Sequence, residues 1–136
     1  MIWIDFVIGK LFSSARIREA LARTLGVPEA NVAVTGCIVN ASASTTFQAE
    51  VSVLGGDFPL HVNLYVSGDQ PPGNGLKLLE SLSRDLSADI LTADECVDPY
   101  SMMLVSPRER PISINLDVES IDEHNEYRLA AAHDDA

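Results

Sequence analysis

Hydrophobic and polar positions alternate most clearly between residues 47 and 66, in two stretches separated by Gly55-Gly56-Asp57. In both stretches every second residue is apolar, which is the pattern of a strand with one buried face. The apolar members are Phe47, Ala49, Val51, Val53, Leu60, Val62, Leu64 and Val66. The glycines favour a turn, so the pattern predicts an antiparallel hairpin. Its solvent side would carry Glu50, His61, Asn63 and Tyr65.

Two other segments have apolar residues at helical spacing. The first runs from about residue 14 to 25, with Ser13 or Ser14 available as the N-cap and Gly26 placed to end the helix. The second follows Asn74, a favourable N-cap residue, and carries leucines at 78, 79, 82 and 86 opposite a polar side. Both patterns predict amphipathic helices that bury one face.

The remaining apolar stretches are short and predict strands. Residues 2–8 are apolar on both alternate faces, which is typical of a strand covered on both sides and central in its sheet. The other predicted strands are 32–39 with a bulge at Gly36, 90–93, and a second hairpin of 102–105 and 112–118. This order of elements predicts a single α+β domain, with a mainly antiparallel sheet and the two amphipathic helices packed on one face.

Charge is distributed unevenly along the chain. The 136 residues hold 20 acidic and 9 basic side chains, a net charge of -11 with neutral histidines. The C-terminal residues 117–136 contribute seven carboxylates against Arg128 alone. We therefore expect residues 1–118 to form the α+β domain. Residues 119–136 are expected to form an acidic C-terminal segment, with room for a short helix before a disordered tail.

The composition also argues against several classes of partner and cofactor. No cluster of Lys and Arg is present, so neither nucleic acid nor a membrane surface is an expected partner. Cys37 and Cys96 match no metal-ligand or redox spacing, which indicates a reduced, cytoplasmic protein. Residues 1–9 are apolar but short, carry Asp5 early and lack a basic start, so no signal peptide is expected. We expect no cofactor and no metal.

Candidate chemistry is sparse. The glycine pairs lack the Lys and Ser or Thr of a phosphate-binding loop, and no nucleophile elbow is present. The acidic residues Asp94, Glu95 and Asp98 lack the length and glycine of a calcium loop, so a solvated loop before Pro99 is expected there. No catalytic residue is assigned on this basis.

The leading hypothesis is a small acidic protein that binds or regulates a more basic protein, in the manner of inhibitor and immunity proteins. It rests on physical properties rather than on a family resemblance. Carboxylates would steer the partner, and exposed aromatic side chains would anchor it. The expected partner-binding residues are Asp94, Glu95, Asp98, Tyr100, Glu119, Asp122, Glu123 and Glu126.

Two alternatives remain open from the sequence. A hydrolase or isomerase of small molecules would need His61, Tyr65 and Glu50 to converge in a pocket on the sheet. A structural homo-oligomer, a homodimer in the simplest case, would pair exposed strand edges or bury the mostly uncharged hairpin face.

Overall fold

A computed structural model describes residues 2–35, 46–67, 73–93 and 101–115 of the chain. Its strands and helices follow the predicted order. The elements are β1 (Ile2–Ile8), α1 (Ser14–Leu25), β2 (Val32–Thr35), β3 (Phe47–Val53), β4 (Leu60–Val66), α2 (Gly75–Leu86), β5 (Ile90–Ala93), β6 (Ser101–Val105) and β7 (Ile112–Asn115). A short 3-10 helix at Glu29–Asn31 precedes β2. The predicted continuation of β2 through Gly36 lies outside the described residues, as does the segment 119–136.

The described strands form one mixed sheet of seven strands in the order β2-β3-β4-β1-β5-β6-β7. Only β2 and β3 pair in parallel; each of the other neighbouring pairs is antiparallel. The central place of β1 agrees with the apolar residues on both of its faces. The structure thus confirms a single α+β domain with two helices and a mainly antiparallel sheet.

The helix ends follow the sequence signals. Ser13, rather than Ser14, caps α1, because its side chain accepts the backbone N–H of Arg16 at 3.1 Å. Gly26 ends this helix in the left-handed conformation, with φ of 71°, where a side chain would be strained. The Asn74 side chain caps α2 by accepting the backbone N–H groups two and three residues later.

Both helices bury their apolar stripes against the same face of the sheet. The core between the layers includes Phe6, Ile8, Ile17, Leu21, Val62, Leu64, Leu79 and Leu82, each with an exposure of 1% or less. In β4 the predicted alternation holds along the whole strand, with buried and half-buried residues in strict succession. In β3 the prediction fails at Val53, which is 70% exposed at the end of its strand.

Candidate functional site

The face of the sheet opposite the helices, called the outer face below, carries a row of polar side chains on its β3, β4 and β1 strands. Asn63 on β4 is paired in register with Glu50 on β3 and with Asp5 on β1, so these three side chains lie side by side across the sheet. In the next row, His61 is paired with Ser52 and Val7. We call Asp5, Glu50, Ser52, His61 and Asn63 the outer-face cluster.

His61 lies between a carboxylate and a hydroxyl. Its Nε2 is 2.7 Å from Asp5 Oδ1, and its Nδ1 is 3.4 Å from the Ser52 hydroxyl. The His61 side chain is 22% exposed and that of Asp5 is 62% exposed. In the other row, the Asn63 side chain donates to Glu50 Oε1 at 3.5 Å. The cluster thus consists of two hydrogen-bonded sets side by side, and it remains open to water at Asp5.

The charge state of His61 depends on these neighbours. The hydrogen bond to Asp5 raises the pKa of the His61 imidazole above its ordinary value of 6.5. Partial burial acts in the opposite direction, while the negative charges of Asp5 and Glu50 raise the pKa further. His61 therefore stays protonated to a higher pH than a free imidazole does.

Replacing His61 by glutamine should flatten the pH dependence of stability around neutral pH. Because the pKa of His61 is higher in the folded chain than the unfolded value of 6.5, its ion pair with Asp5 stabilises the fold fully below pH 6.5. That contribution is lost as the pH rises through the folded-state pKa. We expect it to be no more than about 1 kcal/mol, because Asp5 is largely exposed. Urea unfolding at closely spaced pH values between about 5.5 and 8.5 measures it.

The matched control is the same substitution at His133, which lies in the acidic C-terminal segment of the sequence. The His133→Gln variant should keep the wild-type pH profile, whereas Asp5→Asn should flatten it as His61→Gln does. A wild-type profile in His61→Gln would contradict a stabilising pair between His61 and Asp5.

The residues hydrogen-bonded to His61 differ from Tyr65 and Glu50, the two that the enzyme hypothesis required beside it. The hydrogen bonds described for its ring go to Asp5 and Ser52, while Glu50 accepts from Asn63. Tyr65 stands two residues further along β4, in register with Gln48. Asp5 has no role in the sequence prediction of this site, because the apolar residues of β1 indicate a strand covered on both sides. A charged residue between Ile4 and Phe6 is the signal that marks one face of β1 as polar.

Asp5, His61 and Ser52 together make a carboxylate–imidazole–hydroxyl relay, the arrangement that activates a serine in acyl transfer. Acyl transfer also needs hydrogen-bond donors where the oxyanion develops. The side-chain amide of Asn63, a donor in the same cluster, is directed to Glu50. The relay can move a proton between its three members.

On the helix side of the sheet, positive charges are balanced by carboxylates. Arg16 and Arg23 of α1 both bind the Asp85 carboxylate of α2, at 3.2 and 2.5 Å. Arg16 also donates to the Asp85 backbone carbonyl at 2.6 Å, and both arginines contact Glu19. The pairing with Asp85 raises the pKa of Arg23 above its usual value. These contacts join the two helices.

Three cavities lined wholly by described residues are found beside the start of α1, beside Phe58 and between the two helices, and His61 lines none of the three. Among the described side chains, no group of three or more His, Cys, Asp and Glu is arranged to hold a metal ion. Neither described helix is long and apolar enough to cross a lipid bilayer.

The partner-binding residues expected from the sequence all lie outside the described ranges. Asp94, Glu95, Asp98 and Tyr100 fall in the connection between β5 and β6, and Glu119, Asp122, Glu123 and Glu126 follow β7. Their assignment therefore stays a prediction. Among the described residues, the outer-face cluster is a further candidate site beside these predicted residues.

Comparisons with protein-family models, with curated proteins and with solved structures gave no match to this chain.

Proposed function

We propose that this protein binds or regulates a basic protein partner. The partner docks on the outer face and on the two acidic segments that contain the expected partner-binding residues. The observation that carries the proposal is the sign of the charges on the sheet. Within the described strands the carboxylates are Asp5 and Glu50, both on the outer face, and no Lys or Arg occurs in those strands. Every described Lys and Arg belongs to a helix or a connection.

The distribution of charge over the whole chain supports the same partner. The described residues hold nine acidic and eight basic side chains, a net charge of -1. Nearly all of the total of -11 therefore belongs to the residues between and after the described ranges, which include all the expected acidic contacts. A nearly neutral body with concentrated acidic segments orients an approaching basic protein, since steering depends on where the charges are.

The outer face also has the chemistry of a docking surface in its neutral side chains. Asn63, Ser52 and Tyr65 offer hydrogen bonds, and a tyrosine gives contact area at a small cost in conformational entropy. Further along the same face, Val7, Leu91 and Phe58 are buried beneath partly buried neighbours, among them Met102. The part of this face open to a partner is therefore the polar, acidic one.

The test begins with capture of partners from the native host at about 0.05 M and about 0.5 M salt. A captured protein is then purified, and its affinity is measured by calorimetry. Three multiple variants are compared with the wild type. The first is Asp5→Lys with Glu50→Lys, and the second is Asp94→Lys, Glu95→Lys and Asp98→Lys. The third is the control Glu29→Lys with Glu109→Lys, which changes the net charge as the first does but at exposed residues outside the strands.

We expect a basic partner whose affinity falls at least about 10-fold in the first two variants and less than about 3-fold in the control. A partner that binds the first two variants as tightly as the wild type would overturn the proposal. Light scattering of the protein alone tests the homo-oligomer, since a dimer that survives high salt would favour self-association through the sheet edges.

The relay of Asp5, His61 and Ser52 favours one second candidate, a hydrolase of small esters. Hydrolysis of a nitrophenyl ester distinguishes the two functions. A rate that falls in Ser52→Ala and in His61→Gln, and not in Asn63→Ala, would favour the hydrolase. If the cluster serves docking, the wild type and the three variants should hydrolyse the ester at equal, slow rates.

A further inference from the structure

The outer-face cluster contains one group that can change its charge near neutral pH, and that group is hydrogen-bonded to a docking carboxylate. His61 Nε2 lies 2.7 Å from Asp5 Oδ1, and the other ring nitrogen faces Ser52. Among the described residues, the ionisable groups around the imidazole are Asp5 on β1, Glu50 on β3 and Tyr65 on its own strand. No described strand contributes a Lys or Arg to compete with it.

We propose that His61 gates the docking of a basic partner, so that the outer face binds strongly when the imidazole is neutral and weakly when it is protonated. This inference rests on the proposed function, because it describes how the same surface is regulated. The gate needs no movement of the backbone. It needs only the proton on His61 and the hydrogen bonds already present.

The two protonation states present different surfaces to a partner. In the neutral state the Nε2–H group donates to Asp5, Nδ1 accepts from the Ser52 hydroxyl, and Asp5 and Glu50 give the cluster a charge of about -2. In the protonated state both ring nitrogens donate, and the cluster charge falls to about -1. Asp5 then has a cation beside it, so an incoming arginine or lysine gains less from the same carboxylate.

The pH at which His61 changes its charge depends on the surroundings of the imidazole ring. The hydrogen bond to Asp5 and the neighbouring carboxylates hold the pKa of His61 above 6.5. His61 is the only histidine among the described residues. A pH effect on binding at the outer face therefore reports on His61.

A peptide with two or more arginines at the right spacing is a suitable probe. Asp5 and Glu50 lie two strands apart, about 10 Å across the sheet. Arginines three residues apart in an extended chain are separated by about the same distance. The probe is therefore a capped peptide of Arg-Gly-Ser-Arg-Gly-Ser-Arg, titrated into the full-length, nitrogen-15-labelled protein at pH of about 5.5 and about 8.5.

We expect the peptide to shift the amide signals of Glu50 and Asn63, with a Kd about 3- to 10-fold weaker at the lower pH. His61→Gln should bind equally at both pH values, and His133→Gln should keep the wild-type difference. Asp5→Asn provides a second variant, in which the pH effect should shrink because the imidazolium no longer faces a carboxylate. The spectra themselves show whether each variant is folded.

Failure of the gate and failure of the proposed function have different signatures. Shifts at Glu50 and Asn63 with equal affinities at both pH values overturn the gate and leave the docking surface in place. A pH effect that persists in His61→Gln overturns the gate as well. Shifts confined to residues 94–100 and 116–136 at both pH values overturn the outer face as a docking surface, and the gate with it.

Discussion

Replacing Leu79 by alanine is expected to lower the free energy of unfolding by about 3 kcal/mol, within a range of about 2 to 5 for buried leucines. Leu79 lies on α2, has no exposed surface and belongs to the core between the helices and the sheet. Alanine keeps the helix propensity of the position, so the loss reports on packing. Urea unfolding followed by circular dichroism and by the fluorescence of Trp3 measures it.

The control for this substitution is Val53→Ala. Val53 is 70% exposed at the end of β3, so its truncation should change stability by less than about 0.5 kcal/mol. The comparison also tests a place where the alternation of the hairpin misjudged burial. A loss at Leu79 below about 1 kcal/mol would mean that α2 does not pack on the sheet as described.

The local elements could be predicted because periodicity and end signals are encoded by neighbouring residues. The alternation of β4 fixed its two faces, and the leucines of α2 together with Asn74 fixed that helix and its start. The central place of β1 followed from Phe6 and Val7, because apolar residues on both faces need cover on both sides. These predictions needed no knowledge of which elements pair.

Pairing between distant elements was not encoded in this way. The parallel pairing of β2 with β3 depends on the sheet edge that β2 reaches, and Val32–Thr35 are apolar enough to suit either direction. The register of β3 and β4 decided that His61 faces Ser52, while alternation alone placed it only on the same face as Glu50. A shift of the β3–β4 register by two residues would keep the same side chains on each face of the sheet, but it would change every cross-strand partner.

The candidate site was therefore only half predictable. The hairpin residues Glu50, His61 and Asn63 were placed on a solvent face from the sequence, and the structure places them on the face away from the helices. Asp5, which is 56 positions from His61, joins them only because β1 inserts next to β4. The acid that raises the pKa of His61 came from sheet topology, which one sequence does not reveal.

Replacing Asp85 by alanine should cost about 1 to 2 kcal/mol, because one carboxylate holds two arginines of the other helix. The Asp85 side chain is only 16% exposed, so water replaces these hydrogen bonds incompletely. Asp85→Asn should recover part of the loss, since an amide can still accept a hydrogen bond.

Glu80→Ala is the matched control on the same helix, because Glu80 contacts Arg84 only at 3.9 Å and its loss should cost less than about 0.5 kcal/mol. Equal losses in Asp85→Ala and Glu80→Ala would show that the contacts between the helices contribute no more than an exposed ion pair, and that apolar packing alone joins α1 to α2.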